Sequence, residues 1–237
     1  MGHDGPMSSV KAKPARRGRP PRGSELLSRQ RVLEAALALV DEEGLDAISM
    51  RKLALRLDVD PMSFYNHVDG KDALLDGIAE MMLSSIGFPE TVGDSEHKGL
   101  RESMEVMARK FRQAMLDHPR AAPVVLTRQL PSIVALAPIE AVIGPLLAAG
   151  YPSDKAVHAL RSVLAFLIGA LMREVGAAPT FSASDSEASR QREADLRASG
   201  LPAVMATAAH LAVIDHETEF EFGLALLLDS LDNQLRP

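Results

Sequence analysis

Residues 47–71 read AISMRKLALRLDVDPMSFYNHVDGK, and the fold is decided here. Ser49 stands where an N-cap belongs, one residue before Met50. Leu53, Ala54 and Leu57 fall at helical spacing and give Met50–Leu57 one apolar face. Asp58-Val59-Asp60 then forms a three-residue turn. Asp60 followed by Pro61 restarts a helix, because Asp accepts from free backbone N–H groups and Pro at the first position has none to leave unpaired. The second helix, Pro61–Val68, has only about two turns, roughly 12 Å at ~1.5 Å per residue. Short helix, tight turn and short helix is the geometry that lays a second helix in a major groove.

Outward from this stretch the pattern stays helical. Ser24–Glu43 carries a buried stripe of Val32, Ala35, Ala36, Leu39 and Val40, and Gly44 stops it. Leu45 and Ile48 extend the same small core. On the other side Asp69-Gly70 is a turn signal, and a long helix begins near Lys71, with Leu74, Leu75, Ile78, Met81 and Met82 in phase. Before all of this, residues 1–23 are rich in Gly, Pro, Lys and Arg, a composition that stays disordered in isolation. Eight Lys/Arg and one acid lie between residues 11 and 31, so this end carries +7 within a chain of net charge −6, and the remainder carries −13. A basic end that meets phosphate and an acidic body that does not is the expectation.

From about Arg31 to Met82 the chain resembles the TetR family of bacterial transcriptional repressors. The resemblance rests on Arg51-Lys52-Leu53-Ala54, Phe64-Tyr65-Asn66-His67-Val68 and Lys71-Asp72-Ala73-Leu74-Leu75, and on the spacing between them. It implies an all-α fold: a three-helix DNA-binding domain over 24–70, then a larger helical ligand-binding and dimerisation domain over 71–237. Family members place Met62, Ser63, Tyr65 and His67 on DNA, with Tyr65 and His67 toward phosphate and Met62 and Ser63 toward a thymine methyl. Ser49 and Arg51 open the preceding helix, where Arg51 reaches a guanine edge or phosphate. Lys71 and the amides beside it form an anion site. Phe64 and Val68 point inward. Two departures stand out. Asp58 replaces the usual Gly of the turn, which Asp tolerates because it accepts positive φ at small cost. Pro61 stands where tetracycline-repressor relatives carry a base-reading Gln, so the operator sequence is not transferable. In the arm, Arg17-Gly18-Arg19-Pro20 resembles an AT-hook, whose Arg side chains enter the narrow minor groove; the alternative is a solubilising tail.

The body reads as further helices. Leu100, Met104, Met107, Phe111 and Met115 make a clean stripe that His118-Pro119 closes. Pro123, Pro131, Pro138 and Pro145 break 119–150 into short or kinked helices. Ser153–Val175 is a strong helix, 176–198 a polar loop, and two helices near 202–214 and 217–235 finish the chain. The 153–175 and final helices are the most apolar. Leu160, Leu164, Leu167 and Leu171 on one, with Leu224, Leu227 and Leu231 on the other, suit either an internal core or a subunit interface. Family resemblance, with two helices per subunit forming a four-helix bundle, selects the homodimer interface; a palindromic operator needs a two-fold protein.

The body also weakly resembles the family's tetracycline-binding domain. Thr127-Arg128 matches a pair there, but Val124 and Gly87 stand where that domain has a metal-coordinating and a pocket histidine. No magnesium site and no cofactor is therefore expected. The ligand wall is expected from Met82, Ile86, Met104, Met107, Phe111, Val125, Ile133 and Phe166, adaptable apolar residues that suit a hydrophobic inducer or simply fill the core.

The 237 residues are 46% hydrophobic and 24% charged, an ordinary globular composition. Without any Cys, disulfides, thiol catalysis and Cys-ligated zinc are excluded. No uncharged apolar window reaches membrane length and no signal peptide opens the chain, so a cytoplasmic, nucleoid-associated protein is expected. His97, His118, His158, His210 and His216 show neither metal-ligand nor triad spacing, and no phosphate loop occurs, so an enzyme is not expected. The expected protein is a ligand-responsive, dimeric repressor, released from operator DNA by a small inducer. The competing expectation is a constitutive or architectural DNA binder.

Overall fold

A computed structural model of the chain describes residues 27–60, 64, 67–87, 99–130, 132–177 and 186–235. Among these the chain is helical with no strand, all-α as expected. Helix α1 spans Arg29–Glu43 and starts later than the expected Ser24: Ser28 is its cap, the side chain accepting from Arg31 N at 3.2 Å. Gly44 ends it at φ 89°, a left-handed conformation that L side chains resist, and its N–H bonds Val40 O at 2.7 Å. One 3-10 turn, Leu45–Ala47, leads to α2, Met50–Arg56, capped by Ser49 through Lys52 N at 3.2 Å. Each such cap contributes about 1 kcal/mol. Asp58 holds φ 53°, the one non-Gly positive φ among the described residues, as the substituted turn requires. Phe64 and Val68 are buried, at 0% and 4% exposure, and anchor the segment between the turn and α3.

Helix α3, Gly70–Ser85, joins the head to the body. It lies so close to α1 that a Cβ on Gly77 would stand 2.6 Å from Leu33 Cδ2. Only glycine permits that approach without displacement. Head and body share one continuous core, from Val32 on α1 to Leu231 near the chain's end.

The body follows as α4 (Leu100–Asp117), α5 (Ala122–Thr127), a 3-10 turn (Ile133–Leu136), α6 (Ala137–Ala148), α7 (Ser153–Glu174), α8 (Ser186–Arg197), α9 (Pro202–Leu211) and α10 (His216–Leu235). The expected stripe of α4 turns inward: Met104, Phe111 and Met115 are buried with Ala108. Its outer face is strapped to α10 and α7 by arginines. Arg101 pairs with Asp229, Arg109 with Glu221 at 2.7 Å, and Arg112 with both Glu217 and Glu174, the last at 2.5 Å. Arg112 also lies over the Phe220 ring, 5.0 Å from its centroid. The Tyr151 hydroxyl donates to Leu231 O at 2.5 Å and fixes the turn after α6 against α10. By length and composition α7 is apolar enough to cross a membrane; here its apolar face is core.

Two expectations need correction. The segment 176–198 is not all loop, because residues 186–197 form α8. Polarity on every side hides it from hydrophobic periodicity, and pairs along the helix support it instead: Glu193 with Arg197 at 2.5 Å and Gln191 with Asp195 at 2.9 Å. The leucine stripes of α7 and α10 also belong elsewhere. Leu160, Leu167, Leu171, Leu224 and Leu231 are 7%, 5%, 0%, 2% and 8% exposed within a single chain, so they are protomer core and not surface awaiting a partner. Leu164 and Leu227 are half-buried. What these helices leave uncovered is Ile168, Phe222 and Leu226.

Candidate DNA interface and inducer cavity

Two exposed cations of the head are candidates for DNA contact. Arg51 projects from the first turn of α2 and Lys71 from the first turn of α3; neither makes an ion pair among the described residues. Their neighbours are engaged within the head. Lys52 pairs with Glu43, and Arg56 forms a two-pronged bridge to Glu42 at 2.5 and 2.6 Å, tying α2 to the end of α1. That bond holds the Glu42 carboxyl below its usual range. The three basic residues of α2 thus divide into two held by the fold, Lys52 and Arg56, and one, Arg51, without an ion pair among the described residues, a division that spacing alone does not reveal.

Ser49 is exposed, but its hydroxyl is used as the cap of α2. His67 is half-buried, with its backbone N–H on Phe64 O at 3.0 Å. Met62, Ser63 and Tyr65, expected on a second helix, and Arg17 and Arg19, expected in the arm, lie outside the described residues. At the start of α3, Asp69 makes no side-chain cap bond. Lys71 stands there between the acids Asp69 and Asp72.

In the body, a small cavity of about 30 Å³ lies between α4, α6 and α7. Met104, Met107 and Phe111 line it, as expected of the α4 stripe, together with Ala108, Pro138, Val142, Val163, Leu164 and Leu167. Leu164 and Leu167, expected at the dimer interface, therefore face this cavity. The other expected wall residues do not line it. Met82 and Ile86 are buried on α3 and just after it, at 2% and 7% exposure. Val125 is half-buried on α5. Ile133 is 83% exposed on the 3-10 turn, because the Pro-rich connection turns it to solvent. Phe166 faces α10 instead, tilted on Phe220 with centroids 5.7 Å apart. A Cβ on Gly223 would strike the Phe166 ring, so that glycine serves the contact.

Every side chain lining the cavity is hydrocarbon or thioether. A hard divalent cation needs oxygen ligands, so these residues do not fit a magnesium-linked ligand. Val124 is 4% exposed and packed as core.

Mechanical links run from the cavity to the head. Pro138, in its wall, is in the first turn of α6, and the 3-10 turn before it packs on α3. Arg128, just beyond α5, bonds Asp76 at 2.7 Å and Asp72 at 3.3 Å on α3. Resemblance to the tetracycline-binding domain singles out Thr127-Arg128 but does not reveal this link to α3.

A helix-turn-helix head fused through one connecting helix to an all-helical body with an apolar cavity defines a class of transcriptional regulator. The chain belongs to the TetR family. Residues 32–78 match the family model for bacterial regulatory proteins of the tetR family, and residues 92–235 match that for the tetracyclin repressor-like C-terminal domain. Over 200 residues it is 32% identical to the class A tetracycline repressor of transposon 1721 from Escherichia coli, covering 84% of this chain and 88% of that one. It is 30% identical over 221 residues to the transcriptional repressor DrrR1 of Streptomyces coeruleorubidus, covering 90% and 81%. A third match, 34% identical to a transcriptional regulator of Saccharopolyspora erythraea, spans 63% of that protein. In fold, the chain is similar to ActR of Streptomyces coelicolor in complex with actinorhodin, with a TM-score of 0.76 at 24% identity over 90% of this chain and all of that one. It is also similar to TetR of Acinetobacter baumannii, with a TM-score of 0.62 at 28% identity over the same shares.

Proposed function

We propose that the protein is a dimeric cytoplasmic repressor that a small, largely hydrophobic inducer releases from a palindromic operator. The carrying observation is the wholly apolar cavity between α4, α6 and α7, joined to α3 through Pro138 and the 3-10 turn. Relatives lend support: DrrR1 is named a repressor, ActR is described with actinorhodin, and the A. baumannii protein with minocycline. Arg51, Ser49, Tyr65, His67 and Lys71 contact operator backbone, Met62 and Ser63 face bases, and Arg17 and Arg19 extend the contact into a minor groove. Two copies join through the faces of α7 and α10 that display Ile168, Phe222 and Leu226.

The cavity's size gives the mechanism. At about 30 Å³ it is far below the roughly 300–1,000 Å³ of pockets that enclose drug-sized ligands. An inducer therefore enters only by spreading α4, α6 and α7. Movement of α6 presses the 3-10 turn on α3, and Arg128 carries displacement of the segment after α5 to the same helix. Inducer binds the spread form more tightly, and the population shifts away from the spacing the operator requires. The small volume also favours a second reading, a constitutive DNA binder whose cavity is only a packing defect.

A direct test combines a thermal-shift screen of apolar compounds with operator release for each hit, with and without EDTA. Stabilising compounds that release DNA equally in both conditions support the reading. A strict need for divalent metal overturns its chemistry, and a broad library without hits favours the constitutive binder.

A further inference from the structure

A second groove lies at the junction of head and body and has a different character. Four residues of α1 spaced i, i+3, i+4 and i+7 form one wall: Glu34, Leu37, Ala38 and Asp41. Met81, Met82 and Ser85 of α3 form the other, and His118 closes one end, for a volume of about 250 Å³. The floor is aliphatic and thioether, and two carboxylates sit one at each end of the α1 stripe. No Lys or Arg lines it. Asp41 is bound on one side only: its Oδ2 meets His118 Nδ1 at 2.7 Å, while Oδ1 is shielded from solvent and has no hydrogen-bond partner among the described residues. A shielded carboxylate oxygen without a donor is costly and calls for an N–H, a water or a cation.

We propose that this groove binds a small organic cation, a protonated amine on an apolar body, as an effector distinct from the inducer of the α4–α6–α7 cavity. The ammonium group donates to Asp41 Oδ1 and is attracted by Glu34, while the apolar body lies on Leu37, Met81 and Met82. Methionine's flexible thioether adapts to varied shapes. The volume limits the ligand to about one ring and a short chain, below the usual drug-sized range of roughly 300 Å³ and more. The chemistry differs from that of the body cavity, whose lining has no charge to receive an amine. Occupancy wedges α1 from α3, which opens the shielded Oδ1 to the ammonium while Oδ2 keeps its contact with His118, so the effector acts at the hinge itself.

The test uses full-length protein, 2-phenylethylamine as probe and 2-phenylethanol as its neutral isostere, with binding read by calorimetry or ligand-observed NMR at neutral pH. The amine is expected to bind at least tenfold more tightly than the alcohol. Glu34→Gln, which leaves the Asp41–His118 contact intact, and Asp41→Asn are each expected to weaken amine binding at least fivefold. Leu164→Trp, which fills the body cavity, is expected to leave it unchanged. Equal binding of amine and alcohol, no measurable binding of the amine, or no effect of either carboxylate variant overturns the proposal, the last two being the results expected if a water satisfies Oδ1. Loss of amine binding in Leu164→Trp alone moves the site to the body cavity and also overturns it. Failure of apolar compounds to act at the body cavity leaves this result untouched, so the two readings fail separately.

Discussion

Arg128 Nε donates to Asp76 Oδ1 at 2.7 Å and fastens the segment after α5 to the second turn of α3. The same guanidinium reaches Asp72 in the first turn, one residue from Lys71. Its proton is held more firmly than in a free arginine, first by the Asp76 bond. The bridge thus spans from the body to the helix that carries Lys71. Arg128→Ala is expected to leave operator affinity within about threefold, as befits a partly exposed pair worth under about 1 kcal/mol. The inducer concentration for half release should rise several-fold. Titrating operator release for parent and variant checks this; an unchanged midpoint removes Arg128 from the linkage.

The division of basic residues in the head gives a sharper expectation for DNA. Arg51→Ala and Lys71→Ala should each lower operator affinity and reduce the salt slope by about one unit. Arg56→Ala, which breaks the bridge to Glu42, should change head stability more than the salt slope. Removing residues 1–22 should weaken binding to all DNA and flatten the salt dependence further. Binding isotherms at three salt concentrations separate these outcomes. A salt slope that moves with Arg56 and not with Arg51 reverses the assignment.

In the body cavity, Met107→Glu should abolish induction while leaving operator binding within about twofold, because a carboxylate facing an apolar lining must be desolvated to admit an apolar ligand. Operator release is the readout, with melting temperature monitored to exclude an unfolded body.

The correction to the leucine stripes is itself testable. Phe222→Glu and Leu226→Glu, on the uncovered face of α10, should convert dimer to monomer in sedimentation while preserving helicity. Leu224→Ala, on the covered face, should instead cost about 2–5 kcal/mol of protomer stability. The reverse pattern restores the original assignment.

Acid should loosen the α4–α10 strap. Arg109 donates to Glu221 at 2.8 and 2.7 Å, and this holds the carboxyl below its ordinary value of 4.5. A depressed carboxyl contributes stability that is fully present above pH 4.5 and is lost as pH falls through the lower folded value. Both side chains are more than a third exposed, so solvent screening limits the contribution to under about 1 kcal/mol. Arg109→Ala should lower the melting temperature slightly at neutral pH and have less effect near about pH 3. Equal losses at both pH values leave the pair without a role in acid sensitivity.

Much of the head was legible because capping and turn chemistry are local. Ser49, Asp58 and the burial of Phe64 and Val68 all follow from residues within a few positions. The body was less so. Periodicity identifies which face of a helix is apolar, but not which surface covers it; Leu171 and Leu224 read the same as core or as interface. Ile133 and Phe166 were apolar and close in sequence to the wall, yet their directions depend on a Pro-broken connection and on Gly223. The groove at Asp41 needs α1, α3 and His118 brought together over 77 residues, which no local pattern encodes.

The close approach at Gly77 has a mechanical consequence. With Leu33 seated on that glycine, α1 and α3 turn together, and Gly77→Ala should loosen them at a cost of about 1–3 kcal/mol. Urea midpoints measure that loss. While the contact holds, α3 is a lever: its 16 residues extend about 24 Å at ~1.5 Å each. A rotation of about 8° at the body end sweeps the head through about 3.4 Å, the rise of one base step. An angular change too small to disturb the core at its pivot is enough to put the protein out of step with its operator by a full base pair.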